Sequence, residues 1–207
     1  MRSSMRRILT VACAVALVVA FAASRQQPTR AAGDTPPPVP AAVQVPAGNK
    51  LFLVGHATGT QNYVCLPAGA GVKYVLFTPQ ATLFSDGAQV TTHFFSPNPE
   101  QDNAIRATWQ HSRDTSTVWA EVQDNHMATD STDPEFVAHG AVAWLLLTAV
   151  GHKVGPDGGD LLTKTTFVQR LNTAGGVAPA TGCSSSADVG HQAFVPYTAD
   201  YLFYKKA

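Results

Sequence analysis

Charge is scarce in this sequence: Asp, Glu, Lys and Arg make up 14% of 207 residues, 14 basic against 14 acidic. Setting aside Arg2, Arg6 and Arg7 as part of an N-terminal leader leaves 11 basic against 14 acidic residues, a formal charge of −3. No basic stripe remains, which excludes a nucleic-acid surface built on clustered Lys and Arg. Signatures of catalysis are missing as well. There is no Gly-x-Gly-x-x-Gly, no Gly-x-Ser-x-Gly, no His-Glu-x-x-His and no His-x-His. Dinucleotide binding, a serine-hydrolase elbow and a zincin site therefore each lack their sequence basis. Cysteine is rare too, with three in the chain.

What is present begins with export. Arg2, Arg6 and Arg7 precede an uncharged run from Ile8 to Ala23 that ends in small residues, the pattern of a cleavable signal peptide over residues 1–23. The run stops at Ser24-Arg25-Gln26-Gln27, short of the roughly 20 apolar residues of a stable membrane anchor. A secreted, extracellular or cell-surface location is expected, without membrane insertion after cleavage. Residues 24–46 are rich in Pro, Ala, Gln and Thr and read as a flexible linker. Residues 47–207 then make one domain, long enough to bury a sizeable core. Cys65 and Cys183 survive processing and are expected to pair in an oxidising compartment; two separately buried thiols are the alternative.

Short apolar or alternating runs split by turn residues dominate from Lys50 onward. Leu51-Phe52-Leu53-Val54, Asn62-Tyr63-Val64-Cys65, 72–77, 90–95, 105–110, 116–123 and 163–168 read as strands. Asp86-Gly87 marks a hairpin, and His111-Ser112-Arg113-Asp114 another turn. At the C-terminus Val195, Tyr197, Ala199, Tyr201 and Phe203 alternate with polar residues, predicting a long strand. One segment differs: Asp133, Pro134 and the spacing of Ala138, Val142, Leu145, Leu146 and Ala149 predict an α-helix over 134–150, ended by Gly151 in the left-handed conformation. The fold class is mainly β, an antiparallel sandwich or barrel-like domain with that single helix.

Four strings carry a family pattern: 59–65 (Gly-Thr-Gln-Asn-Tyr-Val-Cys), 143–147 (Ala-Trp-Leu-Leu-Leu), 168–176 (Val-Gln-Arg-Leu-Asn-Thr-Ala-Gly-Gly) and 195–201 (Val-Pro-Tyr-Thr-Ala-Asp-Tyr). Together they resemble a secreted family known as domain of unknown function 3455. The resemblance spans Val45 to Tyr204 and departs from the family pattern between His93 and His111. It implies a family and no activity. Dehydrogenase-like names borne by some members find no support in the chain, which lacks a parallel βαβ rhythm.

Among candidate sites, Gln169, Arg170 and Asn172 before Gly175-Gly176 suggest a strand end that points a guanidinium and amides into one pocket, suited to a small anionic or sugar-like ligand. Asp200 belongs to this set, either beside the ligand or as Arg170's ion-pair partner. The seven histidines raise a second possibility, a copper or zinc site from His93, His111 and His126, which needs at least three ligands to converge. Asp124, Asn125, Asp130, Asp133 and Glu135 offer oxygens to calcium, though not at EF-hand spacing, and Ser184-Ser185-Ser186 read as a loop. Tyr197, Tyr201, Phe203 and Tyr204 with Trp109, Trp119 and Trp144 read as core rather than as a carbohydrate platform. The expectation is an extracellular or envelope-associated module, not an enzyme, that binds a small molecule or a cell-envelope component. A histidine metalloprotein with redox or hydrolytic activity is the alternative.

Overall fold

The computed structural model describes residues 36–127 and 135–207. Eight antiparallel strands follow one another around a closed barrel in chain order: β1 (Asn49–Ala68), β2 (Gly71–Ser85), β3 (Ala88–Asn98), β4 (Ala104–His111), β5 (Thr117–Met127), β6 (Leu145–Lys153), β7 (Thr165–Gly175) and β8 (Gln192–Lys206). β1 pairs with β8 from Asn49↔Lys206 to Val64↔Gln192 and closes the sheet. Of the two architectures expected, the barrel is the one formed. Asp86 (φ 48°) and Gly87 (φ 76°) make the β2–β3 hairpin turn, whose two positive φ values suit the twist of the strands it joins.

The helix expected over 134–150 is a correction. Its start lies outside the described residues, residues 135–144 form turns and one bridge from Ala141 to Gly176, and 145–150 belong to β6. The reason lies in burial on both faces of that strand. Leu147 points into the barrel with Val168, while Leu146 joins Trp144, Leu171 and Leu202 in a second cluster. An apolar run buried on two sides loses the period of two that marks a strand and admits a helical reading. Gly151, expected as a helix terminator, sits inside β6, where a Cβ would lie 2.4 Å from Asn98 Oδ1.

Of the residues 24–46 expected as a linker, 24–35 lie outside the described residues, and part of the remainder packs on the barrel. Val39, Val43 and Val45 pack on the second cluster, Val43 with no exposed surface. Gln169 Nε2 donates to Val43 O at 2.6 Å. Residues 39–45 and 136–144 thus cover the outside of β6, β7, β8 and β1, which is why Leu202 and Tyr204 are buried on the outward face of a barrel strand.

Inside, the end bearing the Asp86–Gly87 turn is filled by Leu53, Leu83, Val118, Val168 and Phe203 and stoppered by Leu162, from the loop between β6 and β7. Asp114 fixes that stopper. Its Oδ2 accepts from Leu161 N (2.9 Å) and its Oδ1 from Ser116 N (3.0 Å) and Ser116 Oγ (2.7 Å), while Ser116 Oγ accepts from Leu162 N. Burial would raise the Asp114 pKa, but these bonds and the nearby His111 prevail and hold it at about 2. Asp114→Ala is expected to cost about 1 to 2 kcal/mol in urea unfolding at pH 7, as for hydrogen bonds to a charged acceptor that solvent partly screens. A variant as stable as the parent would remove Asp114 as the pin. With its folded value depressed from 3.8 to about 2, the charge stabilises above pH 3.8 and that contribution fades as pH falls towards 2.

Candidate functional site

The other half of the barrel is not filled. A cavity of about 290 Å³ opens there, lined by all eight strands. Alternation sets its wall: Gln61 on β1, His93 and Phe95 on β3, Ala107 and Trp109 on β4, Leu145 and Leu147 on β6, Arg170 on β7 and Tyr201 on β8 all face inward. Leu76 and Ile105, 37% and 57% exposed, make an apolar lip. Arg106 and Glu121 also reach the cavity, but pair with each other at 2.9 Å.

Polar chemistry in this wall is sparse and mostly unanswered. Gln61 Nε2 and Trp109 Nε1 are buried with no hydrogen-bond partner, a costly state for a donor unless something else meets it. Arg170 donates from Nε (3.1 Å) and Nη2 (2.8 Å) to Ala143 O, which uses two of its five N–H groups. No carboxylate among the described residues pairs with it. His93 stacks on Trp109 with centroids 4.2 Å apart and planes 4° from parallel. Its Nδ1 lies 2.9 Å from Thr108 O, which only accepts, so the neutral ring carries its proton on Nδ1 and leaves Nε2 as an acceptor. Burial, assisted by Arg170, lowers the His93 pKa from 6.5 to about 3 against the pull of the Thr108 carbonyl. His93 is therefore uncharged at neutral pH. The Tyr197 and Tyr201 hydroxyls meet at 3.2 Å, and burial first, then Tyr201, raises the Tyr197 pKa.

A family model for proteins of unknown function, DUF3455, matches residues 46–205. The chain belongs to the DUF3455 family. No curated protein and no solved structure matches it.

In this DUF3455 barrel the four strings quoted above fall on one side of the molecule, on β1, β7, β8 and the passage into β6. Three of them are tied to one another: Tyr63 OH donates to Gly176 O (2.6 Å) and Arg170 to Ala143 O, beside a bond from Thr173 Oγ1 to Val142 O (2.6 Å) just ahead of the second string. Gln61, Arg170 and Tyr201, all in the cavity wall, come from these strings.

The residues proposed together from sequence separate in space. Arg170 enters the cavity, whereas Gln169 faces outward, bonded to Val43 O and to Tyr204 OH (3.1 Å). Asp200 and Asn172 lie on the outer surface, where Asp200 accepts from Asn172 Nδ2 (2.7 Å) and meets His56 Nδ1 (2.6 Å). Arg170 and Asp200 are not an ion pair. Of the metal candidates, His93 faces Trp109 in register and His111 faces Thr91; His111 Nδ1 lies 2.9 Å from Asp114 Oδ1. The side chain of His126, like Asp124, Asn125, Asp130 and Asp133 of the calcium reading, lies outside the described residues. Among the described residues no group of three His, Cys, Asp or Glu converges as a metal site. Cys65 and Cys183 form a disulfide, Cα atoms 5.5 Å apart. The seven aromatics weighed as a platform are all buried, Trp144 in the turn ahead of β6 rather than on a helix.

Sequence reasoning missed Gln61 altogether and placed His93 and Trp109 in other roles. Their one signal was the inward phase of the alternation on β1, β3 and β4.

Proposed function

We propose that this DUF3455 domain is a binding module of the cell exterior that takes a small molecule into the half-empty end of its barrel. The observation that carries the reading is the pairing of a 290 Å³ cavity with two buried N–H donors, Gln61 Nε2 and Trp109 Nε1, for which no described residue offers a hydrogen bond of full geometry, the Tyr197 hydroxyl being the nearest answer to Gln61. Native interiors rarely leave such groups unanswered, and ligand sites combine an apolar wall with a few convergent polar groups at about this volume. The disulfide supports an oxidising location, and among the described residues no helix is long and apolar enough to cross a membrane. The proposed partner is a small ligand, with no nucleic acid in the role.

An uncharged apolar dye, N-phenyl-1-naphthylamine, tests the cavity without presupposing a headgroup. One equivalent is expected to bind, with enhanced dye fluorescence and quenching of Trp109. Ala107→Trp, which puts an indole into the cavity, is expected to weaken binding at least ten-fold while circular dichroism stays unchanged. Dye binding that Ala107→Trp leaves intact, or no binding, would remove the cavity as a ligand site.

A further inference from the structure

We infer that the ligand is a monocarboxylate with an apolar body, its carboxylate held by Arg170 and its body running out past Phe95 to the lip at Leu76 and Ile105. This rests on the cavity being a ligand site and adds the class of molecule.

Three features of the wall point the same way. Arg170 brings a positive charge into a largely apolar space with three N–H groups unused, and no carboxylate among the described residues neutralises it. A partly buried guanidinium without a counter-ion favours an anion beside it, and a planar carboxylate matches its fork. Gln61 Nε2 and Trp109 Nε1 in the same wall are both donors, and with Arg170 they outnumber the one acceptor that His93 Nε2 presents, so the complementary head is rich in acceptors. A sugar, which presents hydroxyl donors in quantity, would find few acceptors here.

The count of charges selects among anions. His93 is neutral at pH 7, and Arg106 is already answered by Glu121. Among the described residues the site holds one uncompensated cation, Arg170, which suits a monoanion and leaves a phosphate dianion under-neutralised in a low-dielectric space. Leu145, Leu147, Ala107 and Phe95 offer the rest of the ligand only carbon. An exposed Ile105 beside a cavity mouth then has a use: it extends the apolar track to solvent.

The test compares two ligands of equal chain length on the mature protein, octanoate and 1-octanol, by calorimetric titration at pH 7 and by displacement of N-phenyl-1-naphthylamine. Octanoate is expected to bind at least ten-fold tighter than octanol to the parent. Arg170→Met is expected to abolish that preference while leaving octanol binding within two-fold, and Arg170→Lys to keep part of it. Because Arg170 also holds Ala143 O, thermal melts accompany both variants, and the octanoate–octanol ratio on the parent stands without either of them. Octanoate no tighter than octanol, or a preference that survives in Arg170→Met, overturns the inference. Dye that binds but yields to neither ligand overturns it too while the cavity reading stands, and failure of the dye itself to bind removes both.

Discussion

Lowering the pH from 6.5 towards 3 is expected to destabilise the folded barrel by several kcal/mol through His93 alone. The ring is buried, and its pKa falls from 6.5 to about 3 because burial opposes the imidazolium and Arg170 adds to that opposition. In the unfolded chain His93 takes up a proton below pH 6.5, whereas in the barrel it does so only below about 3. Across that window the unfolded state binds more protons, so stability rises with pH and is lost as pH falls. At 1.36 kcal/mol per pH unit the full window corresponds to roughly 3 to 5 kcal/mol. Above pH 6.5 neither state is protonated and the effect is constant. His93→Phe, which keeps a ring to stack on Trp109, is expected to flatten the slope of unfolding free energy between pH 6.5 and 4, measured by urea titration. A variant with the parent's slope would show that His93 is not the titrating group. Asp114 acts lower, between 3.8 and about 2, so the interval from pH 6.5 to 4 reports His93 without it, and the two overlap only below 3.8.

The second large effect belongs to the disulfide. Removing it as Cys65→Ala/Cys183→Ala is expected to lower stability by about 4 to 5 kcal/mol, the entropy returned to an unfolded chain when a loop of this size is opened. The bridge joins residues 118 apart in sequence. Cys65 N also donates to His191 O (2.8 Å), and Gly190 N to Cys65 O (2.9 Å). Those bonds exist only in the folded state and do not restrain the unfolded one. Urea midpoints of the parent, with and without reductant, and of the double variant give the measurement. Coincident midpoints would mean that the unfolded chain is already held compact without the bridge.

Much of the barrel was legible because its strands alternate. The β8 pattern of Tyr197, Ala199, Tyr201 and Phe203 marked an inward face that the structure fills, and Asp86-Gly87 marked a turn that only positive φ permits at both positions. Legibility failed where alternation did. β6 is buried on both faces and read as a helix. β1 read as two strands because residues 55–60 carry little apolar signal, yet Gly55 and Gly59 are where the barrel wall closes in. A Cβ on Gly59 would lie 2.1 Å from Gln80 O. The ligand cavity was illegible for a different reason: Gln61, His93, Trp109 and Arg170 sit on four strands, and no local spacing records that a barrel closes them around one space. Arg170 was found because Gly-Gly follows it, and its supposed partners were misplaced because Gln169 faces the other side of β7 and the register shift between Leu171 and Ala174 carries Asn172 outward to Asp200.

The seam between β1 and β8 has a consequence in time. The strand that closes the barrel against β1 follows the other seven barrel strands in the chain, and the pairing joins Asn49 to Lys206. A nascent chain from which Gln192–Lys206, the whole of β8, has yet to emerge leaves β1 and β7 as two open edges, each able to template pairing with another molecule. Folding thus waits on the contact most distant in sequence, which places this domain among slow folders. Until β8 has emerged, the chain must be kept from its neighbours rather than helped to fold.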